Sequence, residues 1–286
     1  MLPVEARRTV DHYLQVMDRL LPGRVCGLYV VGSTALGAYN PSRSDLDFVV
    51  VVDRGLRPDE LLRLRLVHLI AGARSGLRAV SRLRFMFPGT CNGVFVTADD
   101  LGRPITEITA VASHTGTRFT TGSGFDLNPV TWSVLADHGV AIRGPQPSAL
   151  DLQTDASVLR SWTLDNLDAY WAPWARTILA RNPRRLRVGW RWLTAWGVLG
   201  TSRMHHTIAT GRVIAKETAG EYALATFAAR WHPLVDEALA YRRNQPARVT
   251  GPGDAWVREA AAFVLEVVAD AQTVSAGGRP CPAWDG

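Results

Sequence analysis

Two apolar, β-branched runs, Val25 to Val31 and Leu46 to Val52, flank a Gly32-Ser33 turn, and the second run carries Asp45 and Asp47 at its entrance. Such runs have the length and composition of buried strands. Residues two apart on a strand face the same side, so the pattern commits the chain to a sheet that aims two carboxylates at one point beside a tight turn. Two unit charges about 4 Å apart repel by roughly 4 kcal/mol at an effective dielectric near 20. A pair of this kind is tolerable mainly with a divalent cation or a proton between its members. Oxygen ligands suit Mg²⁺, which keeps several waters and takes one or two carboxylates together with substrate phosphates. The backbone N–H groups and hydroxyls of Gly32, Ser33 and Thr34 can then hold the phosphates. The stretch reads as a metal-dependent nucleotidyl-transfer site.

The rest of the chain divides into a part with strands and a part without them. Val4 to Leu20 has apolar residues at helical spacing and stops at Pro22-Gly23, so a helix precedes the first strand. Pro58 opens a helix to about Ala73, Gly93 to Thr97 is a third apolar strand, and Thr131 to His138 is helical before a short strand at Gly139 to Ile142. Residues 102–130 are rich in Gly, Thr and Pro with little periodicity and read as a long loop bordering the site. Beyond Gly144-Pro145-Gln146-Pro147, residues 155–180, 185–210, 216–230, 232–243 and 253–274 show helical periodicity interrupted by Pro, Gly or Asn, the signature of a helical bundle. The expected architecture is an α/β domain with a mixed sheet over residues 1–147, an all-α bundle over 148–274, and a disordered tail over 275–286.

A length of 286 residues accommodates two such domains, and 47% hydrophobic residues with ten Trp exclude a disordered chain. The formal charge of +6 derives from Arg rather than Lys and favours polyanions such as nucleoside triphosphates or RNA. The N-terminus has no apolar signal core and no apolar run reaches about eighteen residues, so the expected location is cytoplasmic, without a membrane partner. Cys26, Cys91 and Cys281 lack metal-ligand spacing and read as reduced bystanders, with Cys26 a small core residue.

The Gly-Ser turn followed by Asp-x-Asp resembles the signature of the DNA polymerase β-like nucleotidyltransferase superfamily. The fuller form, Gly32-Ser33-Thr34-Ala35-Leu36-Gly37 with Pro41-Ser42-Arg43-Ser44-Asp45-Leu46-Asp47, is similar to the streptomycin/spectinomycin adenylyltransferase branch. Gly139 to Pro145 resembles that family's closing strand. Ser202-Arg203 and the downstream Thr210-Gly211-Arg212-Val213-Ile214-Ala215-Lys216 resemble its helix, turn and lysine. The resemblance implies ATP as co-substrate, Mg²⁺ held by Asp45 and Asp47, and attack of an acceptor hydroxyl on the α-phosphate. It implies nucleotide contacts from Gly32, Ser33, Arg43, Ser44, Arg203 and Lys216. It also implies a hydroxylated small molecule as acceptor, with no obligate protein partner.

Where the family carries a third carboxylate on the third strand, the aligned residue is Asn92. An amide takes no proton near neutral pH and is a weaker cation ligand than a carboxylate. Three explanations stand side by side: another acid substitutes, with Asp100, Glu107 and Asp126 nearby in sequence; the acceptor ionises with help from the metal alone; or transfer has been lost. The helical half is also unusual for a polycation-binding site. Arg184 to Leu193 is basic and aromatic, while Asp165, Asp168, Glu217 and Glu221 could form a small acidic wall.

Trp171/Trp174 and Trp192/Trp196 have the spacing of shared helix faces and read as bundle core. Adjacent His205 and His206 diverge on a helix and read as packing or surface residues. The Arg176 to Arg191 run reads as a solvated face, with RNA binding as the alternative. Two rivals to small-molecule transfer therefore remain: modification of RNA or protein, and nucleotide binding without transfer.

Overall fold

The computed structural model describes residues 2–81, 91–116, 118–180 and 189–277, and it divides into two compact units, Met1–Asp155 and Ala156–Gly286. The first unit runs α1 (Val4–Leu20), β1 (Val25–Val30), α2 (Gly32–Ala35), β2 (Leu46–Val52), α3 (Pro58–Ser81), β3 (Cys91–Thr97), β4 (Ala112–Thr115), β5 (Arg118–Thr121), α4 (Pro129–His138) and β6 (Val140–Arg143). Its mixed sheet has the order β5-β4-β3-β2-β1-β6. Only β2 and β3 are parallel, with Asp47 opposite Asn92, and the other neighbours are antiparallel.

Alternation along the strands sorts side chains between the two faces. Phe48, Val50 and Phe95 pack with Tyr13 and Met17 of α1 and with Leu64 and Val67 of α3. Val49, Val51, Val94 and Val96 face the other way and are also buried, which explains why β2 and β3 are continuous apolar runs. The turn after β6 stays with this unit: Pro147 is buried in a 3₁₀ turn at Pro147–Ala149, and the division between units falls after Asp155.

Two expectations are corrected here. Residues 102–130 hold a β-hairpin, β4 and β5, turning at Gly116 with φ 60°. It lacks the apolar signature because its strands are largely Ser, His and Thr, with His114 buried through a hydrogen bond to the Tyr13 hydroxyl. Cys26 is exposed because the β1–β2 register shifts between Val25 and Gly27, and a residue at such a bulge leaves the strand's alternation.

The second unit comprises α5 (Ala156–Asn166), a π-helical turn at Leu167–Trp171, α6 (Ala172–Ala180), α7 (Trp190–Thr210), α8 (Lys216–Thr226), α9 (His232–Arg242) and α10 (Gly253–Ser275). Long α7 and α10 form its axis: Ala195, Val198 and Leu199 meet Phe227, Leu234, Val235 and Phe263 in one cluster. A second cluster joins Trp171, Ala175, Val257 and Val264. The tryptophans serve packing, with Trp171 and Trp196 centroids 4.2 Å apart and Trp192 stacked on Trp196 at 5.7 Å. No helix among the described residues is long and apolar enough to cross a membrane. The Arg184–Val188 part of the basic run, Cys281 and the tail beyond Gly277 lie outside the described residues.

Candidate active site

The Gly-Ser turn and the second carboxylate are in direct contact. Gly32 has φ 62°, and a Cβ added there would lie 2.2 Å from Asp47 Oδ2, so only glycine lets this backbone and this carboxylate share the space. The Val31 N–H donates to the Asp47 carbonyl at 2.9 Å, fixing the turn to β2. On the other side of the motif, Asn40 organises the approach to Asp45. Its carbonyl accepts the Arg43 and Ser44 N–H groups, its side-chain oxygen accepts the Ser42 N–H, and its own N–H donates to Ser44 Oγ. Buried Ser44 therefore braces the turn that delivers Asp45, while Arg43 is half-buried beside it.

Asn92 bridges two elements. Its amide nitrogen donates to Asp47 Oδ1 at 3.3 Å, and its oxygen accepts the Gly116 N–H at 2.9 Å. A row thus crosses the sheet on the face opposite α1 and α3, from Asp47 on β2 through Asn92 on β3 to the β4–β5 turn. Of the three acids near in sequence, Asp100 caps the 3₁₀ turn after β3 through Thr97, and exposed Glu107 pairs with Arg103. Asp126 alone belongs to the row. Thr115 Oγ1 donates to its Oδ2 at 3.0 Å. Burial raises its pKa, the Thr115 hydrogen bond opposes that shift, and the nearby Asp45 charge adds to it.

The donor set fits a hard divalent cation. Asp45 and Asp47 offer only oxygen, and Gly32 leaves a recess against Asp47. Among the described residues no three His, Cys, Asp or Glu side chains gather to hold a metal by themselves.

Two of the expected nucleotide contacts lie in the second unit. Arg203 lies on α7 and Lys216 opens α8, both half-buried. Gly211 ends α7 with φ 73°, and the Arg212 carbonyl accepts from Thr207 Oγ1 at 3.3 Å and is bonded to His206 Nδ1 at 3.0 Å. The connecting turn is thereby folded back on the helix that bears Arg203. Lys216 is the only lysine in the chain, a signal that sequence reading could have used: a chain that otherwise takes arginine keeps a compact ammonium at one place. Of the expected acidic wall, Glu221 is matched by Arg243 at 2.8 Å and Glu217 lies near Arg242 and Arg243, while Asp168 accepts from Gln272 at 2.8 Å.

Each unit has a counterpart among known protein families. Residues 10–79 match the model of the nucleotidyltransferase domain, and residues 176–267 match that of the aminoglycoside adenylyltransferase C-terminal domain. No curated protein matches the chain in sequence. Among solved structures, the fold is similar to that of spectinomycin adenyltransferase AAD(9) from Enterococcus faecialis with ATP and spectinomycin, at a TM-score of 0.65 and 14% identity over 92% of this chain and 98% of that one.

Proposed function

We propose that the chain, an aminoglycoside adenylyltransferase-like enzyme, moves AMP from ATP to a hydroxyl of a small molecule with Mg²⁺ as cofactor. The observation that carries this reading is the contact between the Gly32 turn and Asp47 of β2, with Asp45 immediately before that strand. When bound there, the cation neutralises phosphate charge and favours in-line geometry. The acceptor oxygen forms a bond to the α-phosphorus, the bond from that phosphorus to the pyrophosphate oxygen breaks, and its electron pair leaves with pyrophosphate. Gly32, Ser33, Arg43, Arg203 and Lys216 are assigned to the triphosphate, with Ser44 holding the turn.

The pairing of Glu217 and Glu221 with arginines favours an acceptor less cationic than streptomycin. The RNA alternative is weakened by Arg191, which is bonded to buried Glu237 at 2.5 Å, and by Trp190, which packs on Gly253. The test is incubation with ATP, Mg²⁺ and a panel of hydroxylated compounds including spectinomycin and streptomycin, read by pyrophosphate release and by AMP adduct mass. An adduct is expected. Salt-sensitive retention of tRNA with adenylylated tRNA as product would replace the small-molecule reading, and ATP binding without any adduct would replace transfer itself.

A further inference from the structure

Asn92 occupies the third-strand position but cannot act as a base, because both ends of its amide are engaged and neither takes a proton at neutral pH. Its place in the row is that of a neutral bracket. It donates to Asp47 and simultaneously holds the β4–β5 turn through Gly116, which sets Thr115 at the end of the same row.

The loop after β5 packs back across this face of the hairpin. A Cβ on Gly124 would fall 2.5 Å from the Ser113 Cβ, so the loop backbone lies directly on β4. Two residues later, Asp126 hangs from Thr115 by its Oδ2. Among the described residues its Oδ1 has no hydrogen-bond partner, and the carboxylate is close enough to Asp45 for the two charges to interact.

Resting on the transfer reaction above, we propose that Asp126 takes the proton of the acceptor hydroxyl, doing from the β5–α4 loop what a carboxylate at Asn92 would do from β3. The O–H proton passes to Asp126 Oδ1 as the acceptor oxygen bonds to the α-phosphorus, and the electron pair of the breaking P–O bond departs on pyrophosphate. Thr115 is the positioning residue, since its hydroxyl holds the carboxylate by Oδ2 and leaves Oδ1 to take the proton. Asn92→Asp alone would set a second charge against Asp47 at the present 3.3 Å contact and gains nothing while Asp126 is in place.

The experiment measures AMP transfer to spectinomycin and streptomycin, with Mn²⁺·ATP binding followed by calorimetry, for the wild type, Asp126→Asn, Asn92→Asp and the double variant. Asp126→Asn keeps the shape and the Thr115 hydrogen bond. It is expected to lower kcat about a hundredfold, the range for removal of a general base, with Mn²⁺·ATP affinity within about twofold of wild type. Asn92→Asp in the Asp126→Asn background is expected to recover at least about tenfold over Asp126→Asn, and alone to give no gain in kcat over the wild type. An Asp126→Asn rate within about threefold of wild type overturns the assignment, as does an equal loss of Mn²⁺·ATP affinity, which would make Asp126 a binding group. A tenfold gain from Asn92→Asp alone also overturns it and returns the base to β3. Absence of transfer by the wild type with Mn²⁺·ATP bound is a different result: it removes the small-molecule reading and the base with it.

Discussion

The sheet unit and the helical unit hold their functional charges by opposite means. In the first, position follows from strand register: Asp47 is fixed by the Val31 N–H, the missing Cβ of Gly32 and the Asn92 amide, and Asp126, whose pKa is raised chiefly by burial and to a lesser degree by the Asp45 charge, carries the same sign. In the second, position follows from a turn tied to a helix, and buried charges are matched by opposite ones, as with Arg191 and Glu237 or Arg242 and Glu217. The difference teaches which half carries an electrostatic demand for a ligand. Like charges gathered on a rigid sheet lower their energy when a cation arrives, whereas buried Arg242 and Glu237 of the bundle each already face an opposite charge within it.

The strongest way to break this comparison is to neutralise one carboxylate in the sheet. Asp47→Asn preserves the shape against Gly32, so the melting temperature is expected to stay within a few degrees while transfer falls about a thousandfold, the scale of a lost electrostatic contact to reacting phosphates. Retained activity, measured as adduct formed per minute, would mean that the sheet's charges serve folding alone. The second test turns to the bundle. Lys216→Ala removes a charge-assisted contact of about 1.5–3 kcal/mol, so the KM for ATP is expected to rise about ten- to a hundredfold with a smaller change in kcat. Because Lys216 is the only lysine, an amine-reactive label followed by peptide mass mapping reads the same contact independently. ATP that fails to protect Lys216 from the label would remove it from the nucleotide site.

The same contrast explains what could be read from sequence. The β1–turn–β2 unit was legible because each requirement leaves a mark in residue type: β-branched runs for strands buried on both faces, glycine where φ is positive, carboxylates two apart for one face. The bundle was legible from helical periodicity and its Gly, Pro and Asn breaks, which fall within a few residues of the ends of α7, α8, α9 and α10. The β4–β5 hairpin left no such mark, since His114 is buried by a partner from α1, distant in the chain, rather than by its own hydrophobicity. Choosing among Asp100, Glu107 and Asp126 depends on that hairpin, because only the cross-strand row from Asn92 through Gly116 and Thr115 links one of these acids to Asn92. Cys26 was misread for a related reason: a bulge breaks strand alternation without changing composition.

The smallest expected effect concerns two buried histidines, each bonded to a tyrosine, one per unit. His114 lies 2.6 Å from the Tyr13 hydroxyl, and its pKa is lowered to about 3, chiefly by burial and also by nearby His68, against a hydrogen bond at the Cys91 backbone. His205 sits 2.7 Å from the Tyr222 hydroxyl and 2.9 Å from Asp270, and its burial is opposed by that carboxylate. A histidine whose folded pKa lies below its unfolded value of about 6.5 binds fewer protons when folded, so stability rises with pH between the two values and is lost as the pH falls. For His114 the window extends from about 6.5 down to about 3, with a slope of at most about 1.4 kcal/mol per pH unit. The carboxylates with lowered pKa, Asp18 and Glu60, add their loss near and below the ordinary carboxylate range, and Asp126, whose pKa is raised, acts in the opposite sense in every variant alike, so each histidine is read as the difference in slope from the wild type in urea melts between pH 6.5 and 5. His114→Gln is expected to flatten that slope by about half, and His205→Gln by less, because Asp270 already favours the protonated ring. Equal flattening by the two variants would show that a carboxylate beside a buried histidine does not distinguish the bundle from the sheet.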